Sequence, residues 1–232
     1  MKFMNLVLTR AKNVLPSERL STARNFLLQK CDFVVDIGAH DGTWISKVKK
    51  SGWTGNSLCI EPSQENYKKI LSKNLVNTKI MNIAIGNDNK RVNLNYASNR
   101  GLSSSLLDMN TYHLDAAPQI QYISKQKVTI KRLSSVLKDY DYRNMYIKID
   151  TQGYELEVLK SIQDRDYHRI TALEVESNLV EVYKNAPMLE EIIKHLRLRS
   201  FDIYRIENGF GMPNFGQQLQ VDVLFIKKSL SK

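Results

Sequence analysis

The sequence predicts an α/β protein whose sheet is twisted and mostly parallel, with helices on both faces and an antiparallel edge strand. The first half of the chain alternates short apolar runs with segments of helical periodicity, and the alternation resumes after residue 144. A glycine-containing loop without a helix joins the last two strand-like runs, as in a hairpin. With 232 residues, 42% of them hydrophobic and 25% charged, the chain has the size and composition of one globular domain.

A short N-terminal segment precedes this alternation. Residues 1–30 are predicted to form a helical extension of two helices, broken at Pro16, and residues 31–232 to form the main domain. The first elements of that domain read strand, helix, strand, helix, strand. They are strand Phe33–Ile37, a helix that Thr43 caps, strand Ser57–Glu61, a helix that Pro62 and Ser63 open, and strand Lys79–Ile83.

The second half begins with a change of pattern. Arg91–Ala97 alternates like a strand, whereas residues 98–127 show no clear period, which is typical of a lid or a binding loop. The parallel pattern is then expected to resume and to end in the hairpin. The remaining predictions are strands Lys127–Ile130, Met145–Asp150, Ile170–Glu176, Phe201–Ile206 and Val221–Ile226, and helices Leu133–Leu137, Gly153–Ile162 and Met188–Leu198.

The N-terminus and the cysteines indicate the compartment. The apolar run at the N-terminus is interrupted by Asn5 and followed by Arg10, which makes a poor signal peptide, and no apolar stretch reaches the length of a membrane span. Cys31 and Cys59 lie in apolar contexts and are interpreted as buried thiols. We therefore expect a cytoplasmic protein. A peripheral membrane contact by the N-terminal helices stays open.

The net charge of +10 has two interpretations. The basic residues are spread along the chain without a dense arginine-rich block, which is typical of a solvated surface. The same excess of positive charge favours an anionic partner, such as an acidic glycan, a phosphorylated carrier, a membrane surface or a nucleic acid.

A glycine turn follows the first strand of the domain. The apolar run ends at Asp36 and breaks into Gly38-x-x-x-Gly42, a turn that lets a ligand approach the backbone. A dinucleotide fingerprint would have a second glycine for the pyrophosphate, and His40 stands there instead, which disfavours a dehydrogenase. Glu61, at the end of the next strand, can accept hydrogen bonds from ribose hydroxyls. The pattern favours a nucleoside without a pyrophosphate, and S-adenosylmethionine is the common one.

Acidic residues recur where the predicted parallel strands end. Ligands of such sheets bind beyond the carboxyl ends of the strands, so these residues are expected to share one site. We expect strand alternation to point the last two to opposite faces, so that only one enters the site. The acidic residues are Asp36, Glu61, Asp150, Glu174 and Glu176.

A longer motif is more specific than the glycine turn. The run Lys148–Lys160, which contains Asp150-Thr151-Gln152-Gly153-Tyr154-Glu155, resembles the FkbM-like methyltransferase family. Many members have Glu-Gly where this chain has Gln152-Gly153, so a metal role at position 152 is not supported. Further matching pieces, in order, are Val35–Ala39 with Gly42, Glu61-Pro62, Asn82-x-Ala84-x-Gly86, the Ser103–Leu106 loop and Glu174-Val175-Glu176.

The resemblance implies a class I, Rossmann-like, S-adenosylmethionine-dependent O-methyltransferase that acts on a hydroxyl of a sugar, a glycan or another polar metabolite. It implies that the methionine end of the cofactor lies near the first glycine turn, the ribose near Glu61 and the adenine near the end of the third strand. The implied cofactor-binding residues are Asp36, Gly38, Ala39, His40, Gly42, Glu61, Pro62, Asn82 and Ala84.

A hydroxyl acceptor needs a group that takes its proton. Asp150 is the first candidate because it ends the fourth parallel strand, and His40 is the second because imidazole titrates near neutrality. Asp150 with Glu174 and Glu176 could also collect a divalent cation through oxygen ligands, although nothing in the sequence requires a metal. The candidate substrate residues are Ser103, Ser104, Gln152, Glu174 and Glu176, while His113, His168 and His195 are interpreted as isolated surface positions.

Two alternatives remain open at this stage. The charge of +10 would suit a nucleic-acid-directed methyltransferase or a basic RNA-binding module with the same fold. Amino-methylating enzymes of that kind usually carry Asn/Asp-Pro-Pro-aromatic where this chain has Asp150-Thr151-Gln152-Gly153, which disfavours it. The other alternative is a scaffold that keeps the fold without catalysis.

Overall fold

The structure, a computed structural model, describes residues 20–230. The first of the two predicted N-terminal helices, and the membrane contact suggested for it, fall outside these residues. The second helix is present as α1. The helices are α1 (Thr22–Leu28), α2 (Thr43–Lys50), α3 (Gln64–Ser72), α4 (Thr111–Ala116), α5 (Leu133–Leu137), α6 (Glu155–Lys160), α7 (Asp164–Tyr167) and α8 (Leu189–Arg197).

Ten strands form two sheets in the described chain. The strands are β1 (Phe33–Ile37), β2 (Asn56–Ile60), β3 (Thr78–Met81), β4 (Ala84–Ile85), β5 (Lys90–Ala97), β6 (Tyr122–Lys131), β7 (Met145–Ile149), β8 (Ile170–Asn178), β9 (Phe201–Asn208) and β10 (Gln220–Lys227). The main sheet has the order β3-β2-β1-β7-β8-β10-β9, and the small sheet has the order β4-β6-β5.

The main sheet confirms the predicted fold class. Strands β3, β2, β1, β7 and β8 are parallel, and β10 is antiparallel to both of its neighbours. The antiparallel strand is second from the edge and not outermost, because the closing hairpin inserts β10 between β8 and β9. The strand order reverses at β1, which has β2 on one side and β7 on the other, and this reversal opens a crevice at the carboxyl ends.

Helices cover both faces of the main sheet. On one face the core packs α5, α6 and α8 against the odd-numbered β1 residues, including Val35 and Ile37. On the other face α1, α2 and α3 pack against residues such as Val34 and Tyr146. Because a parallel strand is buried on both faces, β1 and β7 read as continuous apolar runs with few polar interruptions.

The capping of α2 differs from the prediction. Gly42 is the N-cap residue and adopts φ +76°, a left-handed conformation, and Thr43 is the first helical residue. The Asp41 Oδ1 accepts a hydrogen bond from the Thr43 N–H at 2.9 Å, so the carboxylate two residues earlier satisfies this end of the helix. In α3 the prediction is confirmed, since the Ser63 hydroxyl accepts from the Asn66 N–H.

The prediction that residues 98–127 are irregular is partly wrong. They contain α4, and β6 begins at Tyr122 rather than at Lys127. The early part of β6 is exposed and polar, so it carries no hydrophobic alternation, and its ladder to β5 holds it in place. Within residues 20–230 no helix is long and apolar enough to cross a membrane.

Candidate active site

A cavity of about 400 Å³ lies at the carboxyl ends of the central strands of the main sheet, with the small sheet and residues 99–106 on its other side. It brings most of the sequence-predicted residues together. Those that line it are Gly38, His40, Glu61, Pro62, Ala84, Ser103, Ser104, Asp150, Gln152 and Glu176. Those that do not are Asp36, Ala39, Gly42, Asn82 and Glu174.

The glycine turn closes against the loop that follows β7. Gly38 adopts φ +77°, and its N–H donates to the Ile60 carbonyl at 2.9 Å. A Cβ at this position would lie 2.8 Å from the Asp150 carbonyl carbon and still closer to its oxygen. Only glycine therefore permits both the left-handed turn and the close approach of the two backbones.

Glu61 is a buried carboxylate in the cavity wall. Its Oε2 accepts from the His40 backbone N–H and its Oε1 from the Ser63 backbone N–H, both at 2.8 Å. Burial raises the pKa of Glu61 to about 8, although these two hydrogen bonds favour the charged form. Asn82 stands behind this loop, because its Nδ2 donates to the carbonyls of Glu61 and Pro62 at 2.9 Å each.

His40 is held in place by a hydrogen bond from its ring. The Nε2 lies 3.0 Å from the Arg100 carbonyl, which can only accept, so Nε2 carries a proton. The Nδ1 lies 3.5 Å from Asp41 Oδ1. His40 thus connects the glycine turn to residues 99–106 on the opposite side of the cavity.

Asp36 lies beneath the glycine turn and not in the cavity wall. Its side chain is 0% exposed, and neither carboxylate oxygen has a hydrogen-bond partner among the described residues. The Lys148 Nζ is 4.0 Å away. Burial raises the pKa of Asp36 to about 7 despite the attraction of Lys148. Direct contact of Asp36 with a ligand in the cavity is not supported by this position.

The end of β7 carries a network of polar groups. The Asp150 Oδ2 pairs with the Lys148 Nζ at 2.9 Å, and its Oδ1 accepts from the Gln152 Nε2 at 2.8 Å. The same Nε2 donates to the Glu176 Oε2 at 2.8 Å. Burial alone would raise the pKa of Asp150, but the charge and hydrogen bond of Lys148 hold it below its ordinary value. Burial and the repulsion of Asp150 raise the pKa of Glu176 well above its ordinary value.

The loop that carries this network is braced from within. Gln152 adopts φ +56°, an uncommon conformation for a residue with a side chain. Glu155, at the start of α6, is buried, and its Oε1 accepts from the Thr151 N–H, the Thr151 hydroxyl and the Gly153 N–H at 2.9, 3.0 and 3.1 Å. This acidic residue of the family motif is therefore a structural support of the loop.

We expect Glu155→Ala to lower the free energy of unfolding by about 2 kcal/mol, because it leaves the half-buried donors of Thr151 and the buried N–H of Gly153 unpaired. Urea unfolding of the variant beside Glu157→Ala measures this loss. Glu157 is on the same helix and pairs with Lys160 at the surface, so its removal should cost no more than about 0.5 kcal/mol. Equal losses in the two variants would contradict the bracing role.

The expectation that Glu174 and Glu176 point to opposite faces of the sheet is wrong, whereas the expectation that only one of them enters the site agrees with the cavity lining. Residues two apart in a strand point to the same face, so both side chains lie on the α1 face of β8. They differ in position, because Glu176 is closer than Glu174 to the carboxyl end of β8. Glu176 reaches the cavity, whereas Glu174 is 2% exposed, pairs with the Arg24 guanidinium at 2.7 Å and accepts from the Tyr146 hydroxyl at 2.8 Å. Glu174 anchors α1 to the sheet and does not contact a ligand in the cavity.

A lid of packed side chains covers the polar end of the cavity. Its core is formed by Met109, Val182, Tyr183 and Leu219, which come from three separate segments. The Tyr183 hydroxyl donates to the Gln152 Oε1 at 2.5 Å and ties the lid to the loop after β7, and the Ser105 hydroxyl donates to the Gln152 carbonyl at 2.6 Å. The two predicted serines that precede Ser105 line the cavity, and their hydroxyls accept from groups in the segment just before them.

His113 is the main correction to the predicted surface residues. It is 2% exposed, lines the cavity, and packs between the rings of Tyr183 and Phe210 at 5.5 Å each. Burial lowers its pKa, so the ring is neutral. His195 is half-buried, with its Nε2 3.0 Å from the Tyr167 hydroxyl, whereas His168 is exposed as predicted. The aperiodic sequence around His113 contains no signal that would have placed it in the cavity.

Other cavity residues were also missed by the sequence analysis. Tyr154 packs over Gly86, where a Cβ would lie 2.7 Å from the ring. Gln220, at the start of β10, donates to the Glu176 Oε2 at 3.0 Å. The hairpin brings Gln220 to this edge, whereas Tyr154 is carried there by the loop between β7 and α6. Across residues 20–230, no group of three or more His, Cys, Asp or Glu side chains is arranged to hold a metal ion.

The comparison with protein families agrees with this architecture. The family described as the methyltransferase FkbM domain matches residues 36–203, which extend from Asp36 in β1 to Ile203 in β9. The chain belongs to the FkbM methyltransferase family. It is an S-adenosylmethionine-dependent methyltransferase, and its sheet order is that of the class I, Rossmann-like enzymes.

Three similar proteins extend this comparison. The FkbM-family chain is 26% identical to the methyltransferase sdnD of Sordaria araneosa over 75% of this chain and 74% of that protein. A putative S-adenosylmethionine-dependent methyltransferase from Listeria monocytogenes aligns over 88% of this chain and 97% of its own, with 9% identity and a TM-score of 0.48. An rRNA methylase from Streptococcus thermophilus aligns over 88% and 94%, with 12% identity and a TM-score of 0.46.

Proposed function

We propose that the enzyme transfers a methyl group to a hydroxyl of a sugar, a glycan or another polar metabolite. The observation that supports this is the polar end of the cavity, where Asp150, Gln152 and Glu176 converge. A hydroxyl group that reaches these side chains finds carboxylate oxygens that can accept its hydrogen bond. An apolar acceptor would make no hydrogen bond to these buried polar groups, which disfavours it.

The cavity residues fit S-adenosylmethionine. Gly38 contributes only backbone atoms to the cavity wall, and we assign the methionine end to it. We assign the ribose hydroxyls to the buried Glu61 carboxylate, and the adenine to the wall formed by Pro62 and Ala84. The cofactor supplies an activated methyl group, so the protein has to align the acceptor and remove its proton.

The predicted cofactor residues outside the cavity wall are proposed to act on the shape of the site. Ala39 donates its N–H to the Ile60 carbonyl at 3.1 Å, and Gly42 forms the N-cap of α2. Asn82 supports the backbone that carries Glu61. Asp36 lies under the glycine turn. These four residues would position the groups that contact the cofactor.

We propose Asp150 as the group that receives the proton of the acceptor hydroxyl. Lys148 keeps Asp150 ionised and therefore able to accept a proton, and Gln152 fixes the orientation of its carboxylate. His40 is the weaker candidate because its Nε2 already donates to the Arg100 carbonyl. Gln152, Glu176, Ser103 and Ser104 would then contact the acceptor.

Calorimetric titration with S-adenosylhomocysteine tests the cofactor half of this proposal. Above about pH 8, where Glu61 is ionised, we expect Glu61→Gln to weaken the affinity about a hundredfold, because hydrogen bonds to a buried charge contribute roughly 1.5–3 kcal/mol each. Glu65→Gln, an exposed carboxyl on α3, is the matched control and should bind like the wild type. Loss of binding in both variants, or in neither, would contradict the role of Glu61.

The pH dependence of the same titration gives a second readout. A ligand that donates hydrogen bonds to Glu61 favours its ionised form, so binding should strengthen as the pH rises towards and through about 8. The Glu61→Gln variant has no carboxyl to ionise at this position and should lose this dependence. An unchanged pH profile in the variant would assign the dependence to another group.

We also propose a cytoplasmic location. Cys31 and Cys59 are free thiols, and Cys59 is fully buried between β2 and the helices of its face. Unpaired cysteines are typical of proteins from reducing compartments. Fractionation of producing cells, followed by detection of the enzyme in each fraction, checks this location.

A further inference from the structure

A second concave surface lies on the α5 side of the molecule, separate from the cavity described above. We define the basic groove as the depression lined by Lys79 of β3, Lys90 and Arg91 of β5, Lys131 of β6 and Lys138 after α5, with a volume of about 720 Å³. One carboxylate of the described residues, Asp139, also lines it. In this part of the chain, five cations thus share a depression with one anion.

Several of these cations have no partner for their charge in the described part of the chain. Within residues 20–230, neither Arg91, Lys131 nor Lys138 forms an ion pair, whereas Lys90 pairs with Asp88 at 2.9 Å. Like charges gathered in a concavity repel one another, and the low-dielectric wall of buried Ile130 and Val136 focuses their field. Binding of a multiply charged anion would offset the repulsion between these cations.

The aromatic residue of the groove, Tyr140, indicates whether the bound anion is a nucleic acid. Single-stranded nucleic acids bind basic grooves by stacking bases on exposed rings. The Tyr140 ring has the Lys79 Nζ 4.9 Å from its centroid and packs on Phe33 at 5.4 Å. Because Lys79 and Phe33 already occupy this ring, Tyr140 is a poor stacking platform and the groove favours an anion without bases.

The position of the groove connects it to the cavity. Met81, at the end of β3, lines the groove, and the following residues Ile83, Ala84 and Ile85 line the cavity. Ile130 of the groove is paired with Ala84 in the small sheet. The two concavities therefore lie on either side of one segment of chain, and their lining residues are neighbours in the small sheet.

We propose that the basic groove binds an acidic segment of the methyl acceptor, a glycan that carries several carboxylate, sulfate or phosphate groups. The inference rests on the proposed function, since it takes the acceptor to be a glycan. The groove supplies affinity and selects the charge of the acceptor, while the cavity performs the transfer. A neutral glycan would lose the contribution of the groove cations.

Binding of an oligogalacturonate tests the groove without knowledge of the natural acceptor. We expect saturable binding that weakens with salt, and no binding of a neutral malto-oligosaccharide. The double variant Arg91→Glu with Lys131→Glu should weaken oligogalacturonate binding about tenfold or more. The control variant Lys50→Glu with Lys68→Glu makes the same change of net charge on exposed positions of α2 and α3, which cover the opposite face, and should bind like the wild type.

The outcomes separate this inference from the proposed function. Equal losses in the two double variants, or no oligogalacturonate binding by the intact enzyme, would overturn the groove as a specific site. Tighter binding of an oligouridylate than of the oligogalacturonate would assign the groove to nucleic acid and overturn the glycan. The wild type and both double variants are also titrated with S-adenosylhomocysteine as a reference. If only oligogalacturonate binding fails, the cofactor site is intact and the proposed function stands. If S-adenosylhomocysteine binding fails as well, the proposed function is also overturned.

Discussion

Gly38→Ala is expected to abolish S-adenosylhomocysteine binding and to lower the free energy of unfolding by about 4 kcal/mol or more, the range reserved for severe backbone or core disruption. The new Cβ would press into the Asp150 carbonyl group, and this group cannot retreat easily because the Asp150 N–H donates to the Ile37 carbonyl at 3.0 Å. The left-handed φ of +77° adds about 1–2 kcal/mol of strain for alanine.

Gly52→Ala separates the effect of the left-handed backbone from the effect of the close contact with Asp150. Gly52 also adopts a left-handed conformation, with φ +92°, but a Cβ there would meet nothing within 4 Å. We expect this control to lose only about 1 kcal/mol and to keep its affinity for S-adenosylhomocysteine. Thermal and urea unfolding, together with calorimetry, measure both variants. A Gly38→Ala protein that unfolds and binds like the Gly52→Ala control would show that the turn and the β7 loop do not need this contact.

The central part of the site was predictable from local sequence signals. Gly38, Glu61 and Asp150 each follow a short apolar strand, and the rule that parallel strands end at a common edge brings them together. The structure places all three on one cavity. This prediction needed no long-range contacts. The apolar runs show where each strand ends, and the alternation of strands with helices shows that the strands are parallel and end at the same edge.

The remaining part of the site depends on contacts that are distant in the sequence. His113 is carried on a six-residue helix, and its neighbours Tyr183 and Phe210 come from segments about 70 and 100 residues further along the chain. Gln220 reaches Glu176 only because β10 is inserted next to β8. Neither periodicity nor a motif reports such packing, so the lid and the contact of Gln220 with Glu176 were beyond local reasoning.

Burial also decides which of the predicted acids contacts a ligand. Asp36, Glu174 and Glu176 all lie on the α1 face of the sheet, and their sequence contexts are similar. The Arg24 guanidinium covers Glu174, and the glycine turn covers Asp36, which leaves Glu176 at the cavity. A carboxylate at the end of a predicted strand is therefore a candidate whose role depends on the element that packs over it.

Asp36→Asn is expected to stabilise the enzyme at pH 8 and to leave its stability nearly unchanged at pH 4. Burial and the repulsion of Asp150 raise the pKa of Asp36 to about 7 in the folded enzyme, although the attraction of Lys148 opposes them. In the unfolded chain the pKa of Asp36 is near 3.8. Between these values the unfolded state binds fewer protons than the folded state, so stability falls as the pH rises through this interval. The difference between the two pKa values corresponds to a loss of at most about 4 kcal/mol in the free energy of unfolding. Asparagine cannot ionise, so the variant does not lose this stability.

Lys148 makes this prediction specific to Asp36. The lysine keeps its pair with Asp150 at 2.9 Å in the variant, so removal of the Asp36 charge, 4.0 Å away, does not leave a buried cation without a partner. Urea unfolding at several pH values between 4 and 8 measures the difference between variant and wild type, with Asp115→Asn as an exposed control of the same charge change. A difference that stays constant with pH would mean that Asp36 is ionised throughout this range in the folded enzyme. The Lys148 ammonium would then outweigh the cost of burying the charge, and its attraction would hold the glycine turn against the β7 loop.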